Sequence, residues 1–172
     1  APRDPVVIRD FPPALAPIRE RMGPLREALA AHRELRRKLF QVEFLASRDG
    51  DCLITLIYHR PLDEAWDLAA GELAGRLGAQ LIGRSRRQKR VLSRDHVLES
   101  FTVGGRAYLY RQYEQSFVQP NAPVNERMLN WVWEHSEHAC GDLLELFCGN
   151  GNFSHPLADR HASFDATRDN LV

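Results

Sequence analysis

Apolar residues recur at helical spacing in two stretches of the chain, residues 14–35 and 62–77, and this pattern predicts two helical segments. In the first stretch, Gly23 and Pro24 predict a break into two short helices, because proline opens a helix well but is poorly tolerated inside one. The second stretch has Asp63 as a candidate N-cap and Gly78 at its end. Its apolar stripe consists of Leu62, Ala65, Trp66, Ala69, Leu73 and Leu77.

Shorter apolar runs predict strands between and after these helices. Residues 38–47 and 52–60 flank a polar turn and are typical of a β-hairpin. Residues 79–83, 96–103 and 106–112 predict further strands, and Gly104-Gly105 predicts a tight turn between the last two. A polar basic stretch follows residue 83. Helices and strands in this order indicate an α+β domain.

The pattern changes near residue 113. Residues 113–125 are polar and contain two prolines, which is typical of a linker or an entry loop, and a helix is predicted at about 124–137. A strand (DLLEL), a glycine-rich loop and a helix starting near Asn152 then follow in the order that opens a doubly wound α/β domain. The predicted domains are therefore residues 1–112, a linker and entry helix at 113–140, and an incomplete domain at 141–172.

Composition narrows the classes of protein. The 172 residues are 44% hydrophobic and 27% charged with zero formal net charge, a balance that predicts a globular core. A neutral chain has no overall signature for binding polyanions, although a local basic face is sufficient for RNA. The three cysteines lack CxxC spacing, and no apolar run approaches the ~20 residues of a membrane span. These features favour a reducing cytoplasm and no membrane.

The glycine loop is the strongest candidate for a ligand site. In LLELFCGNGNF (143–153), small residues let the backbone approach a ligand, and free N–H groups of the next helix are expected to point toward it. The dinucleotide fingerprint GxGxxG is incomplete, because Ser154 replaces its third glycine after Gly149 and Gly151. Glu145 at the strand end instead suits a positively charged ligand such as S-adenosylmethionine. On these residues alone, the alternative of an ordinary strand-to-helix turn, with glycines needed only for its geometry, stays open.

Several longer phrases resemble one protein family. They are KLFQVEFL (38–45), LIYHRPLDEAW (56–66), LIGR (81–84), YRQYEQSFVQPNAPVNERML (110–129) and GDLLELFCGNGNFS (141–154). In this order they resemble bacterial tRNA (uracil-5-)-methyltransferases, enzymes that convert a T-loop uridine of tRNA to ribothymidine. Relatives that act on ribosomal RNA carry an extra cysteine cluster, and the phrases here are more similar to the tRNA branch. The resemblance implies a Rossmann-like methyltransferase domain after the α+β domain.

The resemblance also implies a cofactor, S-adenosyl-L-methionine, and the residues that hold it. Gln119, Phe147 and Asn152 occupy positions that contact the cofactor in the family, and Glu145, Gly149 and Gly151 complete the candidate set. The family usually has tyrosine at the Phe147 position, so one hydroxyl contact is expected to be missing. Without the resemblance, Gln119 would be interpreted as a solvated loop residue.

Contact with the T-arm of tRNA is expected from the first domain. Phe40 and His59 match family positions that grip the T-loop, and aromatic and imidazole rings can stack on unpaired bases. Four basic residues in one stretch, which can neutralise phosphates, are candidate RNA contacts: Arg84, Arg86, Arg87 and Lys89. The alternative interpretation is a solvated basic face and a phenylalanine that packs in the core.

No catalytic residue is assigned in this chain. In the family, a cysteine thiolate adds to uracil carbon 6 and a glutamate removes the carbon-5 proton, but both residues lie far beyond the glycine loop. The chain is therefore expected to be a truncated, inactive part of the enzyme. An acidic ribose-binding residue is not assigned either, because gapless counting places Arg168 where it is expected, with Asp165 and Asp169 nearby.

Other functions remain open on the sequence alone. The chain could be a stand-alone RNA-binding module with a vestigial methyltransferase segment, or it could come from a ribosomal-RNA uracil-5 methyltransferase. His135, His138 and Cys140 are crowded at a helix end without a partner cluster, so no metal site is predicted. No obligate protein partner is indicated.

Overall fold

The chain is represented by a computed structural model that describes residues 7–139, 141–160 and 164–166. Its backbone divides into two compact units, Ala1–Val97 and Leu98–Val172. The three domain ranges expected from the sequence remain a prediction. Within the described residues the fold is a mixture of helices and strands, and the expected α+β class is confirmed.

The first unit is built on a four-stranded sheet with helices packed against it. Its sheet order is β1-β2-β3-β4, in which β1 and β2 are antiparallel, β2 and β3 parallel, and β3 and β4 antiparallel. The elements are α1 (Ala16–Ala31), α2 (Arg33–Arg36), β1 (Leu39–Ala46), β2 (Cys52–Tyr58), α3 (Glu64–Leu77), β3 (Gln80–Ser85) and β4 (Gln88–Val91).

Helix α3 is the crossover between the two parallel strands, the connection that a parallel pair requires. It begins as expected, because the Asp63 carboxylate accepts the Trp66 N–H at 3.0 Å. It ends at Gly78, which adopts the left-handed conformation with φ 55°. Trp66 is fully buried and packs with residues of β2 and β3 in the main core of this unit. The N-cap, the C-cap and the helix predicted between them are confirmed.

One sequence expectation for this unit is wrong. Helix α1 runs without a break through Gly23 and Pro24. Pro24 is exposed, whereas Leu25 and Ala28 pack in the core, so continuous packing outweighs the hydrogen bond that proline cannot donate. The polar basic stretch contains strand β4, which pairs antiparallel with β3.

The second unit combines a two-stranded sheet, a helix and the glycine loop. Strand β5 (His96–Val103) begins in the last two residues of the first unit, and it pairs with β6 (Arg106–Tyr113) through the turn at Gly104-Gly105, as expected. The later elements are α4 (Ala122–His135), β7 (Leu143–Glu145), α5 (Ser154–Leu157) and β8 (Phe164–Ala166). Strands β7 and β8 are parallel, which confirms the opening of an α/β domain. Helix α4 packs against β5 and β6 through Leu129 and Trp133.

Some residues that were interpreted from the sequence cannot be compared with the structure. Cys140, Arg168 and Asp169 lie outside the described residues, as does the side chain of Asp165. Across the described ranges, no helix has the length and apolar character needed to cross a membrane. The same ranges contain no group of three or more His, Cys, Asp or Glu side chains arranged to hold a metal ion.

Candidate functional site

Five of the six residues expected to bind the cofactor line one cleft in the second unit. The cleft lies between the segment before α4 and the glycine loop after β7, and the five residues are Gln119, Glu145, Phe147, Gly149 and Asn152. Gly151 is not a lining residue and instead forms the turn of the loop, with φ 79°. Residues far apart in the sequence therefore converge, because the entry segment to α4 and the carboxyl end of β7 meet at the same place.

The glycine loop turns through left-handed backbone conformations. Gly149 and Gly151 have φ angles of 56° and 79°, a region that glycine enters without steric cost. Phe147 has a φ of 58°, which is uncommon for a residue with a side chain, and its ring is 73% exposed. A strained, exposed aromatic residue at a cleft is typical of a ligand site rather than of a packing position.

Glu145 stabilises the loop directly. Its carboxylate accepts the N–H of Ser154 at 2.7 Å and that of Phe153 at 3.4 Å, so it caps the start of α5. The expectation that these N–H groups are free for a ligand is therefore wrong. The negative charge still acts in the cleft region, because Glu145 contributes to the raised pKa of Tyr110.

Tyr110 on β6 anchors the loop from the other side. Burial of the phenol is the main cause that raises its pKa, followed by the charge of Glu145, so the hydroxyl stays protonated over the physiological range. This hydroxyl donates to the Asn152 carbonyl oxygen at 2.8 Å. The side chain of Asn152 in turn pairs with Asn125 of α4. Asn125 was not singled out by the sequence, although a polar residue within the apolar pattern of α4 is a signal that could have found it.

The size of the cleft limits what it can hold. Its cavity volume is about 70 Å³, so it can hold one end of a nucleoside-sized cofactor but not the whole molecule. A larger groove of about 800 Å³ adjoins it and shares four residues with it, Phe117, Phe147, Gly149 and Asn150. Cleft and groove together have the dimensions of a site for an extended ligand.

The candidate RNA residues lie in the first unit. Phe40 is the extra residue of a β-bulge in β1, between the pairs Leu39↔Tyr58 and Gln41↔Ile57. The bulge directs its ring away from the core, and Phe40 is 62% exposed. The ring stacks on His59 with centroids 4.4 Å apart and planes 18° apart. The alternative of a core phenylalanine is therefore wrong.

The basic residues lie at the same end of the sheet. Ile57 of β2 pairs with Arg84 of parallel strand β3, so the β3–β4 turn follows at the end of the sheet where His59 follows β2. Arg86 and Arg87 form this turn and are both exposed. The register therefore brings the Phe40–His59 stack and the basic hairpin to the same end of the sheet.

The basic side chains are not equivalent. Lys89 forms an ion pair with Asp95 at 2.8 Å, and Arg90 forms one with Asp67 at 2.5 Å. Within the part of the chain that the structure describes, Arg86 and Arg87 form no ion pair. Their charge is therefore the more available for a phosphate group.

Comparisons with known proteins agree with this geometry. The sequence model of a family described as tRNA (Uracil-5-)-methyltransferase matches residues 1–168. A curated tRNA/tmRNA (uracil-C(5))-methyltransferase of Azoarcus sp. (strain BH72) is 57% identical, over 91% of this chain and 43% of the relative. Another relative of the same name, from Dechloromonas aromatica (strain RCB), is 48% identical over 99% of this chain and 48% of its own length. The chain thus spans less than half of these relatives.

A solved structure is similar in fold. It is the crystal structure of Pyrococcus abyssi tRNA (uracil-54, C5)-methyltransferase in complex with S-adenosyl-L-homocysteine, with a TM-score of 0.59 and 12% identity. The match covers 87% of this chain and 46% of that chain. At this identity the likeness concerns the fold alone, and it is consistent with the parallel strand pair around the glycine loop. The match over residues 1–168 decides the identity: the chain belongs to the tRNA (uracil-5-)-methyltransferase family.

Proposed function

We propose that this chain supplies a cofactor cleft and an RNA-contacting surface to an S-adenosylmethionine-dependent enzyme that methylates carbon 5 of a T-loop uridine in tRNA. The observation that carries the proposal is the convergence of Gln119, Glu145, Phe147 and Asn152 on one cleft, in a chain that belongs to this family. The names of the two relatives given above state that they methylate tRNA or tmRNA. We assign the protein to the cytoplasm, where tRNA is modified in bacteria.

The residues of the cleft fit the chemical groups of the cofactor. Side-chain amides of Gln119 and Asn152 can bond both the amino and the carboxylate group of a methionine moiety. The Phe147 ring offers an exposed apolar face, and the Glu145 charge favours a cationic ligand over a pyrophosphate. When bound, S-adenosylmethionine supplies an electrophilic methyl group. The role of these residues is to bind and orient it.

The described cysteines are unsuited to act as the nucleophile. Cys52 and Cys148 are both free and both buried. Burial raises the pKa of Cys52 to about 11, so its thiol is protonated at neutral pH and is a poor nucleophile. Cys148 lies within the glycine loop beside the cofactor residues. The catalytic cysteine and glutamate of the family are therefore not assigned here, and we predict that these 172 residues alone form no ribothymidine.

The RNA surface has two functional parts. The Phe40–His59 stack offers an exposed ring face to an unstacked base, and such stacking contributes about 1–3 kcal/mol per base in RNA-binding proteins. Arg86 and Arg87 offer positive charge to the phosphate backbone at the same end of the sheet. We propose that the T-arm of tRNA binds across this end of the sheet.

Binding of cofactor tests the first part of the proposal. Titration calorimetry with S-adenosylhomocysteine is expected to show binding that Gln119→Ala and Asn152→Ala weaken. Gln41→Ala is a matched control, because Gln41 is an exposed glutamine in the first unit whose amide bonds only Glu43 among the described residues. Equal losses in Gln41→Ala and Gln119→Ala would contradict the assignment of the cleft.

Binding of tRNA across salt concentrations tests the second part. Arg86→Ala and Arg87→Ala are each expected to reduce the salt slope by about 1, whereas Phe40→Ala weakens binding without changing that slope. Lys89→Ala is expected to have a smaller effect because Lys89 is already paired with Asp95. Arg26→Ala on the exposed face of α1 is the control. An Arg26→Ala effect as large as that of Arg86→Ala would remove the assigned surface.

The complete reading frame tests the activity. Its product, incubated with unmodified tRNA and S-adenosylmethionine, is expected to yield ribothymidine in the T-loop, measured by mass spectrometry of the nucleosides. Methylation of ribosomal RNA instead would support the ribosomal branch.

A second candidate function is a stand-alone RNA-binding module. The exposed Phe40–His59 stack favours it, because the stack lies wholly in the first unit and needs no cofactor cleft. Tight tRNA binding together with no S-adenosylhomocysteine binding would support this candidate over the enzyme.

A further inference from the structure

Two asparagine side chains pair with each other beside the cofactor cleft. The Asn125 amide nitrogen donates to Asn152 Oδ1 at 2.8 Å, and the Asn152 amide nitrogen donates to Asn125 Oδ1 at 2.9 Å. Asn125 lies on α4 and is 2% exposed, whereas Asn152 lies in the glycine loop and is half-buried. Both residues line the cleft. The pair is thus a direct side-chain link between the helix and the loop.

A buried asparagine within a helix needs a reason. Asparagine has a low intrinsic helix propensity, and burying its amide is unfavourable unless hydrogen bonds compensate. An apolar side chain of similar volume would fill the same space without this cost. What the amide adds is geometry, because a reciprocal amide pair constrains the distance and the plane of both groups.

The backbone of Asn152 is also held, but its side chain depends on Asn125. The Tyr110 hydroxyl donates to the Asn152 carbonyl oxygen, and the Asn152 N–H donates to the Cys148 carbonyl oxygen at 3.3 Å. Neither bond restricts the side-chain torsions of Asn152. Each amide carries two donor hydrogens and two acceptor lone pairs, so the pair leaves one N–H and one lone pair of Asn152 for a ligand.

We propose that Asn125 is a positioning residue for the cofactor cleft, which holds the Asn152 amide in the plane in which its remaining N–H and lone pair meet the ligand. This inference rests on the proposed function, in which the cleft receives S-adenosylmethionine. Asn125 acts through Asn152, and the affinity for the cofactor depends on the amide character of residue 125.

Two substitutions separate positioning from bulk packing. Asn125→Ala removes the pair and is expected to weaken S-adenosylhomocysteine binding about tenfold, which corresponds to one well-formed hydrogen-bond pair. Asn125→Asp keeps the shape, but its ionised carboxylate places an oxygen against Asn152 Oδ1. A protonated carboxyl group has one donor and one acceptor, like the amide, and burial raises the pKa of such an aspartate.

The Asn125→Asp variant is therefore expected to bind nearly as well as wild type at about pH 5 and about tenfold more weakly at about pH 8. Tyr110, Glu145, Cys148 and His155 are titratable groups near the pair. They are identical in both proteins, so the difference between the two pH profiles reports residue 125 alone.

Asn130→Ala is the matched control on the same helix. The Asn130 amide donates to the Thr102 carbonyl at 2.7 Å and to the Glu126 carbonyl at 2.9 Å, and it accepts the Gly104 N–H at 3.1 Å. It makes at least as many hydrogen bonds as Asn125 but is not a cleft residue. A merely structural role would give both alanine variants the same loss of affinity.

Calorimetric titrations of wild type and the three variants at both pH values complete the experiment. Weakening by Asn125→Ala, little change in Asn130→Ala and acid rescue of Asn125→Asp are expected. If wild type binds but Asn125→Asp follows the wild-type pH profile, or if both alanine variants lose equally, the inference is overturned and the proposed cleft survives. If wild type does not bind at all, the proposed cleft fails and the inference fails with it.

Discussion

Gly83 on β3 is the position where one added methyl group has the most sharply defined consequence. A Cβ atom there would lie 2.3 Å from Trp66 Cη2, 2.5 Å from Trp66 Cζ2 and 2.7 Å from Leu62 Cδ1. Trp66 is fully buried in the core of the first unit, so moving its ring away from a new methyl group would disturb its packing. Gly83→Ala therefore overpacks the core of the first unit.

The expected cost is about 1–3 kcal/mol of unfolding free energy, the usual range when a methyl group is forced into a packed core. The cost is steric alone, because Gly83 does not have a left-handed backbone. Gly75→Ala on α3 is the matched control, because a Cβ there meets nothing within 4 Å. It replaces a helical glycine and is expected to stabilise by about 0.5–1 kcal/mol.

Urea unfolding followed by far-UV circular dichroism gives both free energies. Hydrogen exchange in peptides from β2 and β3 localises the change to the first unit. A Trp66→Phe background tests the mechanism, because phenylalanine lacks the two ring atoms that lie nearest to the new methyl group. The cost of Gly83→Ala is expected to be smaller in that background. An unchanged cost there, or a Gly83→Ala protein as stable as wild type, would refute the steric reasoning.

Three further predictions concern the turn, the loop and a buried thiol. Gly104→Ala is expected to destabilise the protein by more than about 1 kcal/mol, and by more than Gly105→Ala does. Both glycines have positive φ, but only at Gly104 would a Cβ lie 2.3 Å from the Trp133 ring. Urea titrations of both variants check this order. Glu145→Gln weakens the two backbone hydrogen bonds at the start of α5, so hydrogen exchange in the glycine loop is expected to accelerate; exchange equal to wild type would contradict the capping role. Burial raises the pKa of Cys52 to about 11, so the native state keeps a proton that the unfolded chain loses above about pH 8.5. Unfolding free energy is therefore expected to fall as pH rises toward 11, and Cys52→Ala should reduce that fall in urea titrations at several pH values.

Local chemistry by itself determined much of this protein. Helix α3 was predictable because its N-cap Asp63, its apolar stripe and its left-handed Gly78 lie within one continuous segment. The β1–β2 hairpin and the Gly104-Gly105 turn were predictable for the same reason. The sequence phrases also indicated the family, and Gln119, Phe147 and Asn152 followed from that resemblance, whereas Glu145 and Gly149 followed from the glycine-loop pattern itself.

Only the tertiary structure decided how distant residues meet. Helix α1 continues through Pro24, and the residues that follow the proline, Leu25 and Ala28, are buried in the core, a gain that no local rule contains. Phe40 reaches the surface because a bulge shifts the register of β1, and the extra residue of a bulge is set by strand pairing. The Glu145 carboxylate caps α5, and Asn125 holds Asn152 across 27 positions of sequence. Such contacts depend on which elements pack together, and the free energy of that packing is a property of the whole fold rather than of any single segment.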